Sequence, residues 1–444
     1  MEFFKINGGR QLKGEIKVSG AKNVAMKVVL SGLLTNEAVE ISNIPLITSV
    51  EGTAELVRCL GVKVVSRPNN TLTINGSGLK SHTVPLEMGG LLRTATMVMG
   101  PLLARFGKAV VPNPGGCRLG KRPVDWHIEG LTKMGARIKY DEGYFYAQAD
   151  KLRGTRFRFQ KNSHTGTETM MLAAVLAEGE TVIENAAMEP EVDDLIILLQ
   201  GMGARIKRGN GKTIIIEGVK KLYGTDFTVM PDRNEAVTFA IGAVATGGDL
   251  VIHGARKRDL TAFLENLEKV GVGFKVLDEE TVRFYSSGNK IRPSKIVTGG
   301  HPGFMTDWQA PWTLLMTEAN GISTVHETVF EDRFSFVNEL VKMGADIEGF
   351  TPEVKNPEKV YNFNWSDRRD GNYQAIRIKG GNPLHEAFLE MTDLRAGATL
   401  ILAALCASGE SIIHGIEHVD RGYEKIDNRL RKIGASITRM EELI

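Results

Sequence analysis

The chain has 444 residues, of which 42% are apolar and 24% are charged, and its formal net charge at pH 7 is +2. This is the composition of a globular protein of roughly two to three domains, and it excludes an intrinsically disordered chain. The small net charge gives no global electrostatic basis for binding nucleic acid or an anionic membrane.

The N-terminal residues and the cysteines indicate the compartment. The start, MEFFKINGGRQLKGEIKVSG, is charged throughout and lacks the apolar core of a signal peptide. The most apolar stretches, near 94–104 and 397–407, fall well short of the ~18 residues of a membrane span. Cys59, Cys117 and Cys406 are too few and too scattered for a disulfide framework or a zinc site. We therefore expect a soluble cytosolic protein without a metal ion.

Six segments along the chain have the pattern of a helix end followed directly by a strand. They read CLGVKV, KMGARI, GMGARI, KVGVGF, KMGADI and KIGASI, and their shared glycines are Gly61, Gly135, Gly203, Gly271, Gly344 and Gly434. A glycine just after the last helical turn is a common helix stop. In the fifth copy, Phe336, Leu340 and Met343 have the spacing of a buried helical stripe. The intervals of 74, 68, 68, 73 and 90 indicate a repeat of about 70 residues.

A second pair of elements lies upstream of these helices, as in LLARFGKAVV and LILAALCASGESIIHG. Each pair has the pattern of a helix of small residues followed by a strand. Alternating helices and strands with short glycine turns predict an α/β protein built of βαβ-type units. Three repeats precede residue 230 and three follow it, which predicts two lobes of three repeats each.

The openings of the small-residue helices share one structural slot. They are SGAKN, GGLLRT, HTGTET, PDRNEA, MTDWQA and MTDLRA, and the slot holds Lys22, Arg93, Gly166, Arg233, Asp307 and Arg395. Helix N-termini favour anions, so if the two lobes faced each other at these ends, the cleft would suit a multiply anionic substrate. The alternative is that the Asp, Ser and Thr residues are plain N-caps. That alternative explains less well why cations recur in a slot where they oppose the helix dipole.

Residues 113–127 read NPGGCRLGKRPVDWH and place Cys117 after a Pro-Gly-Gly hinge, followed by Arg118, Lys121, Arg122 and His127. Neighbouring cations stabilise a thiolate, so this pattern is typical of a reactive cysteine, and an inert buried thiol is the alternative. Cys59 and Cys406 lie in apolar helical stretches and are predicted to be core residues. No phosphate-binding loop, dinucleotide fingerprint or Ser/His/Asp pattern is evident. The residues alone therefore indicate an anion-binding cleft with a thiol and two aspartates, and they do not name the reaction.

The long fifth interval has an identifiable cause in residues 350–380, GFTPEVKNPEKVYNFNWSDRRDGNYQAIRIK. They add roughly twenty residues that include Tyr361, Phe363, Trp365 and Tyr373. We predict a long β-hairpin or surface flap here, and a lid or partner-binding role is the alternative.

Eight motifs in order resemble one family over essentially the whole chain. They are SGAKN, PGGCxxGxRPVDxH, LAEGxTxIENAAxEPE, PDRxE, TDxQA, TVFExR, TDLRA and HxDRGYE, and they resemble the enolpyruvyl transferase family. The resemblance implies an inside-out α/β barrel of six βαβαββ units, three per domain. It implies one domain at 22–230 and a second that combines 1–21 with 231–444 and carries the extra segment near 350–380.

The resemblance also implies a reaction. The enolpyruvyl group of phosphoenolpyruvate would move to the 3′-hydroxyl of UDP-N-acetylglucosamine by addition and elimination, with release of phosphate, as the first committed step of peptidoglycan synthesis. The residues that match the family's phosphoenolpyruvate and phosphate positions are Lys22, Arg93, Arg122, Arg395 and Arg421. Cys117 matches the loop cysteine that transfers a proton and is alkylated by fosfomycin. Asp307 matches the carboxylate that receives the hydroxyl proton, and Asp393 matches a second acid beside Arg395.

The family's UDP-sugar site maps onto three parts of the chain. The matching residues are Asn23, Arg93, Arg122, Pro123, Val124, Asp125, Trp126, His127, Lys161, Ser163, His164, Thr165, Gly166, Asp307, Val329 and Phe330. The resemblance implies no cofactor, no nucleic acid and no membrane partner, and we expect a monomer.

Two departures from the family pattern leave alternatives open. Trp126 replaces a smaller apolar residue and would either stack on uracil or pack in the protein. The loop at 163–167 reads SHTGT where the family has a sequence like SVGAT, so a different nucleotide or sugar acceptor is the first alternative. A catalytically silent regulatory paralogue is the second, and the presence of Lys22, Cys117, Asp307, Asp393 and Arg421 argues against it.

Overall fold

The computed structural model describes residues 2–90, 92–115 and 124–441. The described residues divide into two compact units. The 231–441 unit also contains residues 2–19, and the 20–230 unit consists of the described residues from 20 to 230.

The strands of the described residues are short, and most have alternating burial, with one face packed and the other exposed. They are β1 (Glu2–Asn7), β2 (Lys13–Lys17), β3 (Ala38–Ser42), β4 (Lys63–Arg67), β5 (Thr71–Asn75), β6 (Lys108–Pro112), β7 (Arg137–Asp141), β8 (Tyr144–Gln148), β9 (Arg156–Arg158), β10 (Glu180–Glu184), β11 (Arg205–Arg208), β12 (Thr213–Glu217), β13 (Thr225–Thr228), β14 (Asp249–His253), β15 (Gly273–Val276), β16 (Thr281–Tyr285), β17 (Lys295–Gly299), β18 (Phe304–Met305), β19 (Ile322–His326), β20 (Asp346–Phe350), β21 (Ala375–Lys379), β22 (Phe388–Glu390), β23 (Glu410–His414) and β24 (Ser436–Glu441).

The helices alternate with these strands along the chain. They are α1 (Lys22–Leu30), α2 (Thr48–Cys59), α3 (Leu86–Gly89), α4 (Met99–Phe106), α5 (Asp125–Lys133), α6 (His164–Ala174), α7 (Pro190–Gly201), α8 (Arg233–Ala245), α9 (Thr261–Val270), α10 (Gln309–Thr317), α11 (Val337–Lys342), α12 (Pro357–Val360), α13 (Leu394–Cys406), α14 (Glu417–Asp420) and α15 (Ile426–Lys432). Short 3₁₀ helices include Arg93–Val98, directly before α4, and Thr306–Trp308, directly before α10.

The sheets of the described residues repeat one strand pattern. Each has a parallel pair followed by two antiparallel neighbours, as in the orders β13-β3-β5-β4 and β22-β23-β1-β24. The sheet β6-β8-β7 has a parallel bridge from Thr83 to Val110 in place of a full strand. Three such sheets belong to each unit, which confirms the α/β class predicted from the sixfold repeat.

The six repeat glycines end helices as predicted. Their φ angles lie between 84° at Gly271 and 105° at Gly434, a left-handed conformation that a residue with a Cβ adopts only with strain. Each of these glycines follows a helix and precedes a strand within two residues, as Gly344 does between α11 and β20. The predicted stripe of the fifth repeat, Phe336, Leu340 and Met343, is buried.

The small-residue helices form the interior of each unit. In the 231–441 unit, α8, α10 and α13 pack on one another and are buried on nearly all sides. In the 20–230 unit, α4 packs on α6, and α1 packs on α2 and α7. Helices that are apolar all round belong in a core, so the sheets lie outside them with one face toward solvent.

One expectation about the chain is met in part and one is wrong. The strands β20 and β21 pair antiparallel as a hairpin up to Phe350 and Ala375, but residues 351–374 between them do not extend its strands and instead form a long connection. Cys59 is exposed rather than a core residue, because it lies on the solvent side of the last turn of α2. Cys406 is partly buried, and burial raises the pKa of its thiol. Among the described residues, no helix is both long enough and apolar enough to span a membrane.

Candidate active site

Two aspartates in the 231–441 unit cap the helices whose openings the sequence singled out. Asp232 accepts hydrogen bonds from the backbone N–H groups of Asn234 and Glu235 at the start of α8. Asp393 accepts hydrogen bonds of 2.8 and 3.1 Å from the N–H groups of Arg395 and Ala396 at the start of α13. The N-cap alternative is therefore correct for both aspartates.

Asp307 lies between two guanidinium groups. It belongs to the 3₁₀ turn before α10, and its Oδ1 accepts a hydrogen bond of 2.5 Å from Nη2 of Arg333. Its Oδ2 lies 3.9 Å from Nη2 of Arg395. Both arginines are buried, whereas the Asp307 side chain is 21% exposed. The carboxylate is thus the accessible part of a charged cluster whose cations lie behind it.

Arg395 has an unusual environment for a buried cation. Burial opposes its charge, but the nearby Tyr423 and the carboxylates of Asp307 and Asp232 outweigh that effect and raise its pKa above the ordinary value. The guanidinium lies 5.2 Å from the centre of the Tyr423 ring. Its Nη1 is buried and has no hydrogen-bond partner among the described residues. A buried N–H donor without a partner is energetically costly, so this atom is an exception among the buried groups of the unit.

The segment 327–334 supports Asp307 from the side. Glu327 is fully buried, and its Oε1 accepts hydrogen bonds from the N–H groups of Val329 at 2.7 Å and Phe330 at 3.0 Å. Its Oε2 accepts a hydrogen bond of 2.8 Å from the hydroxyl of Thr306, the neighbour of Asp307. Burial raises the pKa of Glu327, against the opposing effects of Arg333 and these hydrogen bonds.

The predicted sugar-pocket residue Phe330 is joined to the same cluster. The guanidinium of Arg333 lies 5.3 Å from the centre of the Phe330 ring, and the same guanidinium binds Asp307. Asp393 belongs to this cluster too, because its Oδ2 accepts a hydrogen bond of 3.2 Å from Ser335 and its charge acts on Arg333. Both of its oxygens are thus used within the protein.

Arg421 follows α14 and is partly buried. Its side chain forms no ion pair or hydrogen bond with the residues that the structure describes in this unit. The neighbouring Arg439, in contrast, binds Asp420 at 2.8 and 2.9 Å. The Arg421 guanidinium is thus not held by the residues that the structure describes in this unit.

In the 20–230 unit, Lys22 is the first residue of α1 and is buried to 9% exposure. The preceding residue, Ala21, provides no side-chain cap, and the first turn has no acidic residue. Asn23 follows in the same turn, and Arg93 opens the 3₁₀ helix before α4. Two cations thus begin helical segments of this unit, as the sequence predicted.

His127 is a buried, neutral histidine that ties α5 to α6. Its Nδ1 lies 2.9 Å from the hydroxyl of Thr169 and its Nε2 lies 3.2 Å from the hydroxyl of Thr165. Burial, with a smaller effect of the positive charge of Arg93, lowers the pKa of His127 to about 3. Arg93, His127 and the start of α6 are therefore close together.

The start of α6 is shaped by Ser163 and Gly166. The Ser163 hydroxyl caps the helix by accepting a hydrogen bond of 3.0 Å from the Gly166 N–H. A Cβ on Gly166 would lie 2.8 Å from the ring of Phe159 and 2.6 Å from the Ser163 hydroxyl. Only glycine fits this close approach, which leaves the predicted ligand loop tightly folded.

A chain of buried charges connects α1 to this loop. Lys27 on α1 lies 3.1 Å from Oε2 of Glu168 on α6, and these side chains are 3% and 0% exposed. His164 Nε2 lies 3.1 Å from Oε1 of the same Glu168. Neither contact to Glu168 is aligned as a hydrogen bond. Burial opposes the charge of His164, but Glu168 and Glu189 together raise its pKa against the effect of Lys27.

Comparisons with known proteins agree on one family. The family model described as EPSP synthase (3-phosphoshikimate 1-carboxyvinyltransferase) matches residues 6–430. A UDP-N-acetylglucosamine 1-carboxyvinyltransferase of Acidobacterium capsulatum is 42% identical, and the match covers 99% of this chain and 96% of that protein. One of Idiomarina loihiensis is 41% identical, with 99% and 100% coverage. The chain belongs to the enolpyruvyl transferase family.

Solved structures show the same fold. The crystal structure of the enolpyruvyl transferase NikO from Streptomyces tendae matches with a TM-score of 0.87 at 23% identity, over 99% of this chain and 98% of that one. An EPSP synthase from Acinetobacter baumannii matches with a TM-score of 0.73 at 21% identity, over 99% and 100%. The predicted enolpyruvyl transferase fold is confirmed.

In this enolpyruvyl transferase, the structure brings some predicted site residues together within each unit. Asp307, Arg395, Asp393 and Phe330 meet in one, while Arg93, His127 and the loop with Lys161, Ser163, His164, Thr165 and Gly166 meet in the other. Val124 is buried and Asp125 is exposed at the start of α5, and Trp126 packs against the core of its unit. Cys117, Arg122 and Pro123 lie outside the described residues.

The sequence reasoning missed Arg333 and Glu327 as functional candidates. Both lie in or next to the motif TVFEDR, in which the sequence analysis assigns a role only to Val329 and Phe330. The signal in the sequence is the arginine that ends this family motif. An arginine that becomes buried needs a carboxylate partner, so Arg333 pointed to a nearby acidic residue. Among the described residues, no group of three or more His, Cys, Asp or Glu side chains is arranged to hold a metal ion.

Proposed function

We propose that the protein transfers the enolpyruvyl group of phosphoenolpyruvate to the 3′-hydroxyl of UDP-N-acetylglucosamine and releases phosphate. Relatives with that name are 41–42% identical over 99% of the chain. The reaction is the first committed step of peptidoglycan synthesis. The partners are the two small-molecule substrates.

The reaction proceeds by addition and then elimination. The acceptor oxygen forms a bond to C2 of phosphoenolpyruvate, while C3 receives a proton and the hydroxyl proton leaves to a base. The resulting tetrahedral ketal then loses phosphate from C2 and a proton from C3, which restores the carbon–carbon double bond. The protein must therefore bind two anionic groups, accept a proton near the acceptor hydroxyl and supply a proton at C3.

The observation that carries the proposal is the unpartnered Nη1 of the buried Arg395. Its guanidinium is directed by Asp307 and Tyr423 and keeps one N–H group for a ligand. Arg421 adds a second guanidinium, and both suit the carboxylate and phosphate of phosphoenolpyruvate. We assign Lys22, Arg93 and Arg122 to the same substrate.

Asp307 is assigned as the proton acceptor for the sugar hydroxyl. Its carboxylate is the accessible part of the cluster. Phe330 of the predicted sugar pocket lies against Arg333, which orients the Asp307 carboxylate. Asp393 accepts a hydrogen bond from Ser335 with Oδ2 and caps α13 with Oδ1, which binds the backbone N–H of Arg395. We therefore assign Asp393 the role of holding Arg395 in place. Cys117 is assigned as the proton donor for C3 from the sequence alone.

Phosphate release from phosphoenolpyruvate, measured with and without UDP-N-acetylglucosamine, tests the proposal. We expect release only with this acceptor, and a product heavier by the carboxyvinyl group. Shikimate 3-phosphate and UDP-N-acetylgalactosamine serve as comparison acceptors. Turnover that depends on one of them instead would contradict the assigned acceptor, and no turnover with any acceptor would contradict the activity.

A different nucleotide or sugar acceptor is the second candidate, and the loop SHTGT favours it. His164 binds Glu168 at the start of α6, and Lys27 joins the same carboxylate. This arrangement belongs to the loop that is assigned to the nucleotide. The domain boundaries at 22–230 and at 1–21 plus 231–444, the monomeric state and the cytosolic location stay predictions.

A further inference from the structure

The extra length of the fifth repeat lies at one connection. In four other sheets, the two antiparallel strands that follow the repeat glycine are joined by only two to four residues, as between β7 and β8. Between β20 and β21 the connection is residues 351–374. A connection this long within a compact domain usually has a function of its own.

The connection is a folded structure with a small core. Tyr361 stacks on Trp365 with ring centres 4.6 Å apart, and Phe363 lies 5.2 Å from Tyr361. Arg368 lies over the Trp365 ring at 4.8 Å. Tyr361 and Phe363 are only 2% and 6% exposed, so the aromatic residues are used inside the protein rather than displayed on its surface.

The same connection holds the segment 327–334 from several directions. The N–H of Asn362 donates a hydrogen bond of 2.7 Å to the carbonyl of Thr328. The side-chain amides of Asn372 and Gln374 both donate to the carbonyl of Glu331, at 3.2 and 3.0 Å.

Ring contacts and a further backbone bond complete this attachment. The Tyr373 ring stacks on Phe334 with centres 5.5 Å apart, and the Tyr361 hydroxyl lies 3.1 Å from His326 Nε2. The N–H of Glu327 donates a hydrogen bond of 2.8 Å to the carbonyl of Gln374. Both ends and the middle of the segment 327–334 are therefore fixed by residues of the connection.

The segment 327–334 in turn fixes the proposed acceptor site. Arg333 orients Asp307, and its own carbonyl accepts a hydrogen bond of 3.0 Å from the side chain of Gln309, at the start of α10. Glu327 holds the backbone of Val329 and Phe330. Each contact is short and at least partly buried, so a shift of the segment would be passed to the Asp307 carboxylate.

We propose that residues 351–374 are a positioning element for the acceptor side of the reaction. They set the place of Val329 and Phe330 and, through Arg333, the orientation of Asp307. The inference rests on the proposed function, because it takes Asp307 as the group that meets the acceptor. It makes the acceptor side of the reaction depend on the connection more strongly than phosphoenolpyruvate binding, for which Tyr423 also holds Arg395.

The test removes the two amide donors to the Glu331 carbonyl in the double variant Asn372→Ala/Gln374→Met. A misplaced reacting group commonly reduces turnover by about a hundredfold, so we expect kcat to fall by about tenfold to a hundredfold. The KM for UDP-N-acetylglucosamine should rise clearly more than the KM for phosphoenolpyruvate. Lys355→Ala, at an exposed position of the same connection, is the matched control and should behave as wild type.

Hydrogen exchange provides a measurement that does not need activity. The Val329 and Phe330 amides should exchange faster in the double variant, while the thermal unfolding temperature and the exchange of α8 amides stay close to those of wild type. Unchanged exchange at these two amides, or an equal loss in both KM values, would overturn the inference. Inactivity of the wild-type protein with every acceptor would instead refute the proposed function, and the exchange result would still decide the inference.

Discussion

The substitution Lys27→Met examines the buried charges beneath the predicted nucleotide loop. Lys27 and Glu168 are 3.1 Å apart and almost completely inaccessible to water. Methionine keeps the length and volume of the side chain but removes the ammonium group. Glu168 would then remain buried, and among the described residues His164 would be its only close cation.

The expected loss is large because a buried carboxylate is left without its partner. Removing one member of a buried ion pair typically costs about 3–5 kcal/mol of unfolding free energy. The lower value should apply near pH 6, where His164 is charged and compensates Glu168. The higher value should apply at pH values above the raised pKa of His164, where the imidazole is neutral and no longer compensates Glu168.

Differential scanning calorimetry and urea unfolding measure this loss. A domain of about 150–250 residues loses about 2–4 °C in melting temperature per kcal/mol, so the transition of the 20–230 unit should fall by roughly 6–20 °C. The double variant Lys27→Met/Glu168→Gln should recover much of the loss, because no uncompensated charge remains.

A surface pair provides the matched control for this substitution. Lys5 and Glu410 are 3.0 Å apart, but their side chains are 41% and 43% exposed. Lys5→Met should therefore cost no more than about 1 kcal/mol. If Lys27→Met costs as little as Lys5→Met, or if the double variant is no more stable than Lys27→Met, the reasoning about buried charge is wrong.

Three further predictions concern the other charged groups. Arg395→Lys should raise the KM for phosphoenolpyruvate by about 10- to 100-fold, because an ammonium group cannot replace the N–H groups of a guanidinium. Steady-state kinetics should show the higher KM, and the melting temperature should stay unchanged. Lys22→Gln should strongly reduce turnover and leave the free energy of unfolding nearly unchanged. A loss of stability without a loss of turnover would contradict the assigned role of Lys22. The pKa of His164 is raised in the folded protein, so the stabilisation by its charge is complete below about pH 6.5 and is lost as the pH rises through the folded-state pKa. In urea unfolding from pH 5 to 9, the free energy of unfolding should fall accordingly in the wild type. The variant His164→Val should not show this fall.

The repeat architecture was predictable because its signals are local. A glycine with φ near 100° ends a helix whatever surrounds it, so Gly61 and Gly135 could be placed from the sequence alone. Helix openings are local in the same sense, and α8 begins at Arg233 in the predicted PDRNEA opening.

The side-chain pairs that complete the site were not predictable in this way. Arg333 lies 26 residues from Asp307 along the chain, and Lys27 and Glu168 come from different helices of the 20–230 unit. No periodicity connects such residues, because tertiary packing decides which buried charges meet. The exposure of Cys59 has the same origin, since an apolar stretch does not say which side of the last helical turn faces the core.

Lys22 breaks a local rule that the corresponding helices obey. At α8 and α13, an aspartate at the N-cap offsets the arginine in the first turn, so those cations are compatible with the helix dipole. At α1 the cap position holds Ala21 and the first turn has no acid, yet a nearly buried lysine occupies the first helical position. Such a cation opposes the helix dipole at a helix that no side chain caps. Residues that break local rules are concentrated at functional sites. The uncapped helix is therefore the independent physical reason to assign Lys22 to an anionic ligand.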